Sequence, residues 1–544
     1  MRTSKGKTGM KSSSAGTTVV KPLTEVHTAI MSDLQAIARD KVELTEKPEI
    51  MVQQLDPEAA DVAIIGAGPG GYVAAIRAAQ LGGKVIIIEK DELGGVCLNR
   101  GCIPTKAMLS SADAYDLIVN RSKEMGINVG EASLDYAKVL DRRDRVVKQL
   151  VSGVGFLMKS HNIQVLKGTA RLLNRNTIEV AFADGPDGSR AGKKESVSAR
   201  NIIIATGSEP VDLPIPGLEG ENVWDSDGAL KATEVPKSLL IIGGGAIGLE
   251  WGYMFRKFGA EVTIVELMSQ ILPLTDSEVA QELRKILEKD GIRILTESRA
   301  TKVEHIPSQC SGGPPDSSGG SCTPSRESAT ILTGEKEQEI VADKILVAVG
   351  RRPVCEGLGL EELGIACDRG RIVVNERMQT NVPGVYAIGD VVGGALLAHK
   401  ASEEGVVAAE NCMGRDSRMS YKTVVSAVYT EPEVATVGIS EDAAKSQGLD
   451  YSVGKFFFKA NGKALGLGMR DGFVKFMADS KYGEILGCHI IGPHATDLIH
   501  EVVIGMDAEA TIDVIGRAIH AHPTLAEVLK ESALDVHGES IHKG

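Results

Sequence analysis

The chain carries one strand–glycine–helix–strand unit twice, and that repeat restricts the fold more than any other feature. Val62-Ala63-Ile64-Ile65 runs into Gly66-Ala67-Gly68-Pro69-Gly70-Gly71, a helical pattern continues to Leu81, and Val85-Ile86-Ile87-Ile88 ends on Glu89. Gly66, Gly68, Gly71 and Glu89 recur as Gly243, Gly245, Gly248 and Glu266 at a constant offset of 177. A chance glycine cluster would not bring its strand, helix and acid along. In each unit, glycines let backbone N–H groups at a helix N-terminus approach a pyrophosphate, and the acid accepts from a ribose hydroxyl. Two bound dinucleotides are expected. No arginine follows Glu266 in Leu267-Met268-Ser269-Gln270, which favours NAD over NADP because a carboxylate repels a 2′-phosphate.

Cys97 and Cys102 stand in a C-x4-C frame shortly after the first unit, in Gly94-Gly95-Val96-Cys97-Leu98-Asn99-Arg100-Gly101-Cys102-Ile103-Pro104-Thr105-Lys106. Five residues along a regular helix separate Cα atoms by about 8.6 Å, beyond the roughly 7 Å that a disulfide spans. A working redox pair therefore needs a distorted first turn, which Gly101 and Pro104 can supply. The helix N-terminus then favours thiolate. Zinc would need a further Cys/His pair at ligand spacing, and none accompanies the motif, so no metal is expected. The cofactor nearest the cysteines is expected to be a flavin, which exchanges electron pairs with both a dithiol and a nicotinamide.

A length of 544 residues allows three or four domains. The net charge of −13 gives no electrostatic footprint for nucleic acid, and the apolar runs are too short and broken to span a membrane. Beyond the first pair, the eight cysteines follow no framework spacing, which fits a reducing compartment. Residues 1–24 hold Arg2, Lys5, Lys7, Lys11 and Lys21 and no acid, so residues 1–57 read as a disordered extension or a targeting segment. The Ser/Gly/Pro-rich stretch at 307–328 reads as a disordered insertion with exposed thiols at Cys310 and Cys322.

Near the C-terminus, Pro523 forces His522 out of helical geometry, and Glu527, read as one turn into the next helix, can reach back to the imidazole. A carboxylate on one ring nitrogen leaves the other free for proton transfer. His520 competes for that role, and a plain capping histidine is the bland alternative.

These motifs, with Thr206-Gly207 and Gly389-Asp390, resemble the pyridine nucleotide–disulfide oxidoreductase family over roughly residues 58 to 537. The resemblance implies an α/β fold of two Rossmann-like dinucleotide-binding domains plus a C-terminal α+β dimerisation domain. It places an FAD-binding domain at 58–210 and 351–420, an NAD-binding domain at 211–350 and an interface domain at 421–544. Around FAD it implies Gly66, Gly68, Gly71, Glu89, Lys106, Gly168, Ala170, Thr206, Gly207, Ser208, Asp390, Leu396, Leu397, Ala398 and His399. Around NAD it implies Gly243, Gly245, Gly248, Glu250, Glu266, Ala300 and Gly350. The catalytic set would be Cys97, Cys102, Lys106 paired with Glu250, and His522 with Glu527, the histidine coming from the opposite subunit of a homodimer. The implied reaction oxidises dihydrolipoyl groups of an acyltransferase or a glycine-cleavage carrier protein with NAD+, in the cytoplasm or, if the N-terminal segment targets, an organelle matrix. Glu266 argues against a glutathione reductase type, and a tail without a cysteine pair against a mercuric reductase type. The intact cysteines, lysine and histidine argue against a non-catalytic scaffold.

Overall fold

The computed structural model describes residues 59–182, 192–311 and 321–543. The extension expected over 1–57 lies outside them. The first βαβ unit forms as the sequence pattern requires. Its strands Ala60–Ile65 and Val85–Glu89 pair in parallel, with the helix Pro69–Gln80 between them. Continuous Val/Ile runs suit strands covered on both faces, and Val62, Ile64, Ile87 and Ile88 are buried accordingly. The parallel sheet continues through Gln164–Asn174 on one side, and through Lys194–Ile204 and Val385–Ala387 on the other. The strands Gln164–Asn174 and Lys194–Ile204 are long enough to serve twice. Their remaining halves pair antiparallel with Thr177–Phe182 as a three-stranded meander.

The second unit repeats this plan. Arg293–Leu295, Glu261–Val265, Ser238–Ile242, Lys344–Val347 and Val223–Trp224 form a parallel sheet in that order. A meander of Ser298–Ile306, Arg326–Thr333 and Lys336–Ala342 leads back into it. The insertion departs from the sequence expectation. Gln309–Ser311 pairs antiparallel with Ser321–Thr323, prolonging the Ser298–Ile306/Arg326–Thr333 hairpin, and residues 312–320 fall outside the described chain. A polar composition does not prevent strand pairing where an existing hairpin already fixes the register.

From Ser426 onward the architecture changes to α+β. Five antiparallel strands run in the order Ser426–Val428, Glu433–Gly438, Ile485–Gly492, Phe473–Asp479, Tyr451–Phe457. Helices Ala495–Asp507, Ile512–Arg517 and Glu527–Asp535 bury Ile499, Val502, Ile515, Val528 and Leu529 with that sheet's core. Ile504, Val514 and Ile519 stay exposed, Ile519 at 98%. No helix among the described residues is long and apolar enough to cross a membrane.

Candidate active site

The three fingerprint glycines answer to different constraints. Gly66 has φ +102°, and a Cβ there would meet the Ala205 carbonyl oxygen at 2.3 Å; one on Gly71 would meet the Gly66 oxygen at 1.9 Å. Strand and helix packing therefore exclude side chains at both. Gly68, at the helix N-cap, has nothing within 4 Å of its missing Cβ, so its bareness serves no protein contact and leaves a cradle open. Gly243, Gly248 and Gly245 repeat the pattern, at 2.4 Å, 2.0 Å and open space. The acids repeat as well. Glu89 accepts from the N–H groups of Ala67 and Asp91 at 2.6 and 2.7 Å, and Glu266 from those of Gly244 and Met268 at 2.6 and 2.8 Å.

Gly68 opens onto a cavity of about 960 Å³. Its walls include Gly66, Gly71, Glu89, Gly168, Ala170, Thr206, Gly207, Ser208, Asp390, Leu396, Leu397 and Ala398, all expected around FAD. Cys97, Cys102, Lys106 and Glu250 line it too, with Ala246 and Ile247 of the second fingerprint. A glycine cradle at a helix N-terminus, a seated carboxylate and a long cleft suit a dinucleotide. His399 lies outside the lining, with Nε2 on the Val425 carbonyl at 2.8 Å. Ala300, expected on the NAD side, is 4% exposed and packs with Leu240, Ile242 and Val265. Gly350, with φ +126°, has open space at its missing Cβ.

The cysteines meet because the helix breaks between them. Gly95–Arg100 ends at Gly101, and a new helix starts at Cys102 and runs to Asp116. A Cβ on Gly101 would lie 3.0 Å from the Val96 carbonyl oxygen, and one on Gly95 would lie 2.7 Å from the Gly68 Cα, so glycine is needed on both flanks of Cys97. In this structure the two cysteines are unbonded thiols sharing a hydrogen bond. That bond from Cys97, reinforced by Lys106 against the opposing effects of burial and Glu250, brings Cys102 down to about 7. Cys97 is pushed up for the complementary reason, since it gives the proton, and burial adds to the rise. Of the two thiols, Cys102 is the lowered one. Lys106 Nζ is 2.7 Å from Glu250 Oε2 and 4.5 Å from the Tyr429 ring centroid, while Glu250 Oε1 accepts from the Tyr429 N–H. Glu250, expected on the NAD side, thus joins the second fingerprint helix to the cysteine helix.

The two histidine–carboxylate pairs differ in what they leave free. His522 Nδ1 lies 2.8 Å from Glu527 Oε1, and the Thr524 N–H donates to Oε2 at 2.9 Å. Burial opposes ionisation of Glu527, yet that N–H and the imidazole hold its carboxyl below the ordinary range. The helix begins at Glu527, not a turn earlier, so the carboxylate reaches across the preceding turn. His522 is 79% exposed, with Nε2 free. His520 has Nε2 on Glu501 at 2.9 Å, Nδ1 on the Ala518 carbonyl at 3.2 Å, and a side chain 7% exposed. It has no nitrogen left for proton transfer. His522 does not line its own chain's cavity.

Sequence reasoning missed Tyr429 and the buried pair Lys400–Glu404. That pair lies 3.0 Å apart; Glu404 accepts from the Gly389 N–H, and Lys400 donates to the Gly389 and Gly393 carbonyls, fixing the turn that carries Asp390. The i,i+4 spacing was the available signal. Tyr429 had none, because it reaches the site through tertiary packing. Among the described residues, no group of three or more His, Cys, Asp or Glu could hold a metal ion.

Fold and site define an oxidoreductase that couples a dithiol to two dinucleotides. Residues 60–405 match the pyridine nucleotide-disulphide oxidoreductase family and residues 424–533 its dimerisation domain, so the chain belongs to that family. The dihydrolipoyl dehydrogenase of Thermus scotoductus is 45% identical over 489 residues, 89% of this chain and 98% of that one. Dihydrolipoyl dehydrogenase 2, mitochondrial, of Arabidopsis thaliana is 41% identical over 484 residues, 89% and 91% of the two chains. Among solved structures, the Cu(II) complex of the HOCl-induced flavoprotein disulfide reductase RclA from Escherichia coli is similar, with a TM-score of 0.75 at 27% identity, covering 88% of this chain and 99% of that one. The protein is an NAD-dependent flavoprotein disulfide oxidoreductase that uses FAD and NAD and forms a homodimer.

Proposed function

We propose that the protein oxidises dihydrolipoyl groups, carried by the acyltransferase of a 2-oxo acid dehydrogenase complex or by a glycine-cleavage carrier protein, with NAD+ as acceptor. The observation that supports this reading is the helix break at Gly101, with Cys97 and Cys102 on either side of it and both lining the cavity. Gly66, Gly68, Gly71, Glu89 and Asp390 hold FAD, which when bound carries the electron pair from the dithiol to NAD+. Gly243, Gly245, Gly248 and Glu266 hold NAD+.

The cycle starts from the Cys97–Cys102 disulfide. Nε2 of His522 of the partner subunit, with Nδ1 fixed by Glu527, takes the proton of one substrate thiol. The thiolate attacks Cys97 Sγ; a substrate–Cys97 bond forms, the Cys97–Cys102 bond breaks, and Cys102 leaves as thiolate. The second substrate sulfur, losing its proton to solvent, then attacks the first, closing the lipoyl disulfide and releasing Cys97, which is protonated from the imidazolium. Lys106, steadied by Glu250 and Tyr429, supplies positive charge beside the Cys102 thiolate. Bacterial and plant mitochondrial relatives fit action in the cytoplasm or an organelle matrix.

Anaerobic addition of dihydrolipoamide to the yellow dimer tests this reading. A long-wavelength thiolate–flavin band is expected, and NAD+ should discharge it. A protein that forms no band with dihydrolipoamide does not have this substrate.

A further inference from the structure

Away from the cavity, the protein buries one lysine that the chemistry above does not use. Lys475 stands within Phe473–Asp479, opposite Lys455 and His489 in the flanking strands, and is 1% exposed. Its Nζ lies 3.1 Å from each carboxylate oxygen of Asp276, 2.6 Å from Glu441 Oε2 and 3.3 Å from Glu278 Oε2. Asp276 belongs to the second dinucleotide domain and is itself 1% exposed. Its Oδ1 accepts the Glu278 N–H, capping the helix Ser277–Lys289, and its Oδ2 accepts the Glu441 N–H from the C-terminal domain. Asp442 returns the contact by accepting the Ser277 N–H at 3.0 Å, and Lys455 pairs with Glu278.

The cluster fixes one end of a loop whose other end is a ligand-facing acid. Glu266 starts that loop with its carboxylate on the Gly244 and Met268 N–H groups. The Leu272 N–H then donates to the Gly244 carbonyl at 3.0 Å, and Ile271 Cγ2 would lie 3.2 Å from a Cβ on Gly244. Four residues on, the loop ends in Asp276. Fingerprint, acid and buried ion cluster are thus one connected run of backbone.

We propose that Lys475 is a positioning residue for the second dinucleotide site: through Asp276 it holds the Glu266–Asp276 loop, and with it the carboxylate that receives the ribose. A lysine from the dimerisation domain thereby sets affinity for NAD+ without touching it. The proposal rests on the NAD+ reading of that site. Without the ammonium, the buried Asp276 carboxylate would keep only its two N–H donors and would draw water or shift, and the loop would relax with it.

The test uses the flavin-loaded dimer carrying Lys475→Met. Loss of the charged hydrogen bonds that hold the loop should raise KM for NAD+ about tenfold, while dihydrolipoamide bleaches the flavin at the wild-type rate when NAD+ is absent. Lys475→Arg should restore part of the affinity. Asp442→Ala removes only an exposed carboxylate and should shift KM for NAD+ in the same direction by less, which keeps the proposal testable if Lys475→Met fails to fold. An unchanged KM for NAD+ in both Lys475→Met and Asp442→Ala, or equal loss of bleaching and NAD+ reduction, overturns it. Wild-type protein that reduced NADP+ as well as NAD+ would overturn the reading beneath it.

Discussion

The two dinucleotide units share glycines, acids and hydrogen bonds at one offset, yet they are enclosed differently. In the first, Gly70 lies against the helix Ala398–Cys412. A Cβ on it would meet the Ala401 carbonyl oxygen at 2.8 Å, and one on Gly405 would meet the Gly70 oxygen at 2.5 Å. Two helices in backbone contact close over the first fingerprint. At the matching position of the second stands Ile247, which lines the cavity. One fingerprint can thus serve a resident group where a second helix lies in backbone contact with it, and an exchanging group where a side chain stands at that position.

Substitution of the open glycine in each copy puts the largest effect on that difference. Gly68 and Gly245 both have ordinary negative φ and free space at Cβ, so valine leaves the fold standing and fills only the ligand's cradle. Gly68→Val should purify without flavin absorbance and without any dithiol-dependent turnover. Gly245→Val should stay yellow and bleach with dihydrolipoamide, failing only in NAD+ reduction. Equal flavin loss in both variants would break the distinction between resident and exchanging sites.

Proton transfer belongs to the first unit alone in this scheme. His522→Gln should therefore slow dihydrolipoamide oxidation by about 10²–10⁴-fold, while electron flow from NADH to an artificial acceptor stays near wild type. His520→Gln, at a ring with both nitrogens already bonded, should affect stability more than turnover. Stopped-flow absorbance of the two half-reactions separates these outcomes.

Much of this contrast was legible in the sequence, because the groups that make it are local. Gly66, Gly71 and Glu89 act within one βαβ unit, and Gly101 breaks a helix between its own neighbours, so spacing alone foretold both. The C-terminal histidine pair was nearly as readable, although the helix starts later than its pattern suggested. Contacts between distant segments were not readable. Gly70 against Gly405, Tyr429 beneath Lys106, and Lys475 against Asp276 each join elements more than a hundred residues apart. Lys475 is the sharpest case, since a lysine within Phe473-Val474-Lys475-Phe476 reads as a solvent-facing strand position. Ala300 packs with Leu240 and His399 bonds to the Val425 carbonyl, contacts that their places in the sequence did not announce.

A smaller effect is expected at the acid of the second copy. Glu266→Gln keeps an oxygen for the Gly244 N–H but removes the charge, so KM for NAD+ should rise by about tenfold, the worth of one charged hydrogen bond. Discrimination against NADP+ should narrow, because nothing then repels the 2′-phosphate. Steady-state kinetics with both nucleotides measures this, and unchanged discrimination would remove Glu266 from nucleotide choice.

The smallest effect separates the units by pH. Cys102 in the reduced protein sits near 7, held down by the Cys97 hydrogen bond and Lys106. A lowered thiol is thiolate above that value and thiol below it. The long-wavelength band of the reduced protein should therefore be near full at pH 8 and half gone near pH 7, a change of about twofold. NAD+ affinity measured on the oxidised protein, in which Cys102 carries no thiol to titrate, should stay level across that window. Lys106→Met removes the ammonium that favours the thiolate and should move the band's midpoint upward. The same midpoint in Lys106→Met would leave the Cys97 hydrogen bond as the sole cause of the lowering. A parallel drift of NAD+ affinity with the band would mean that the two units titrate together.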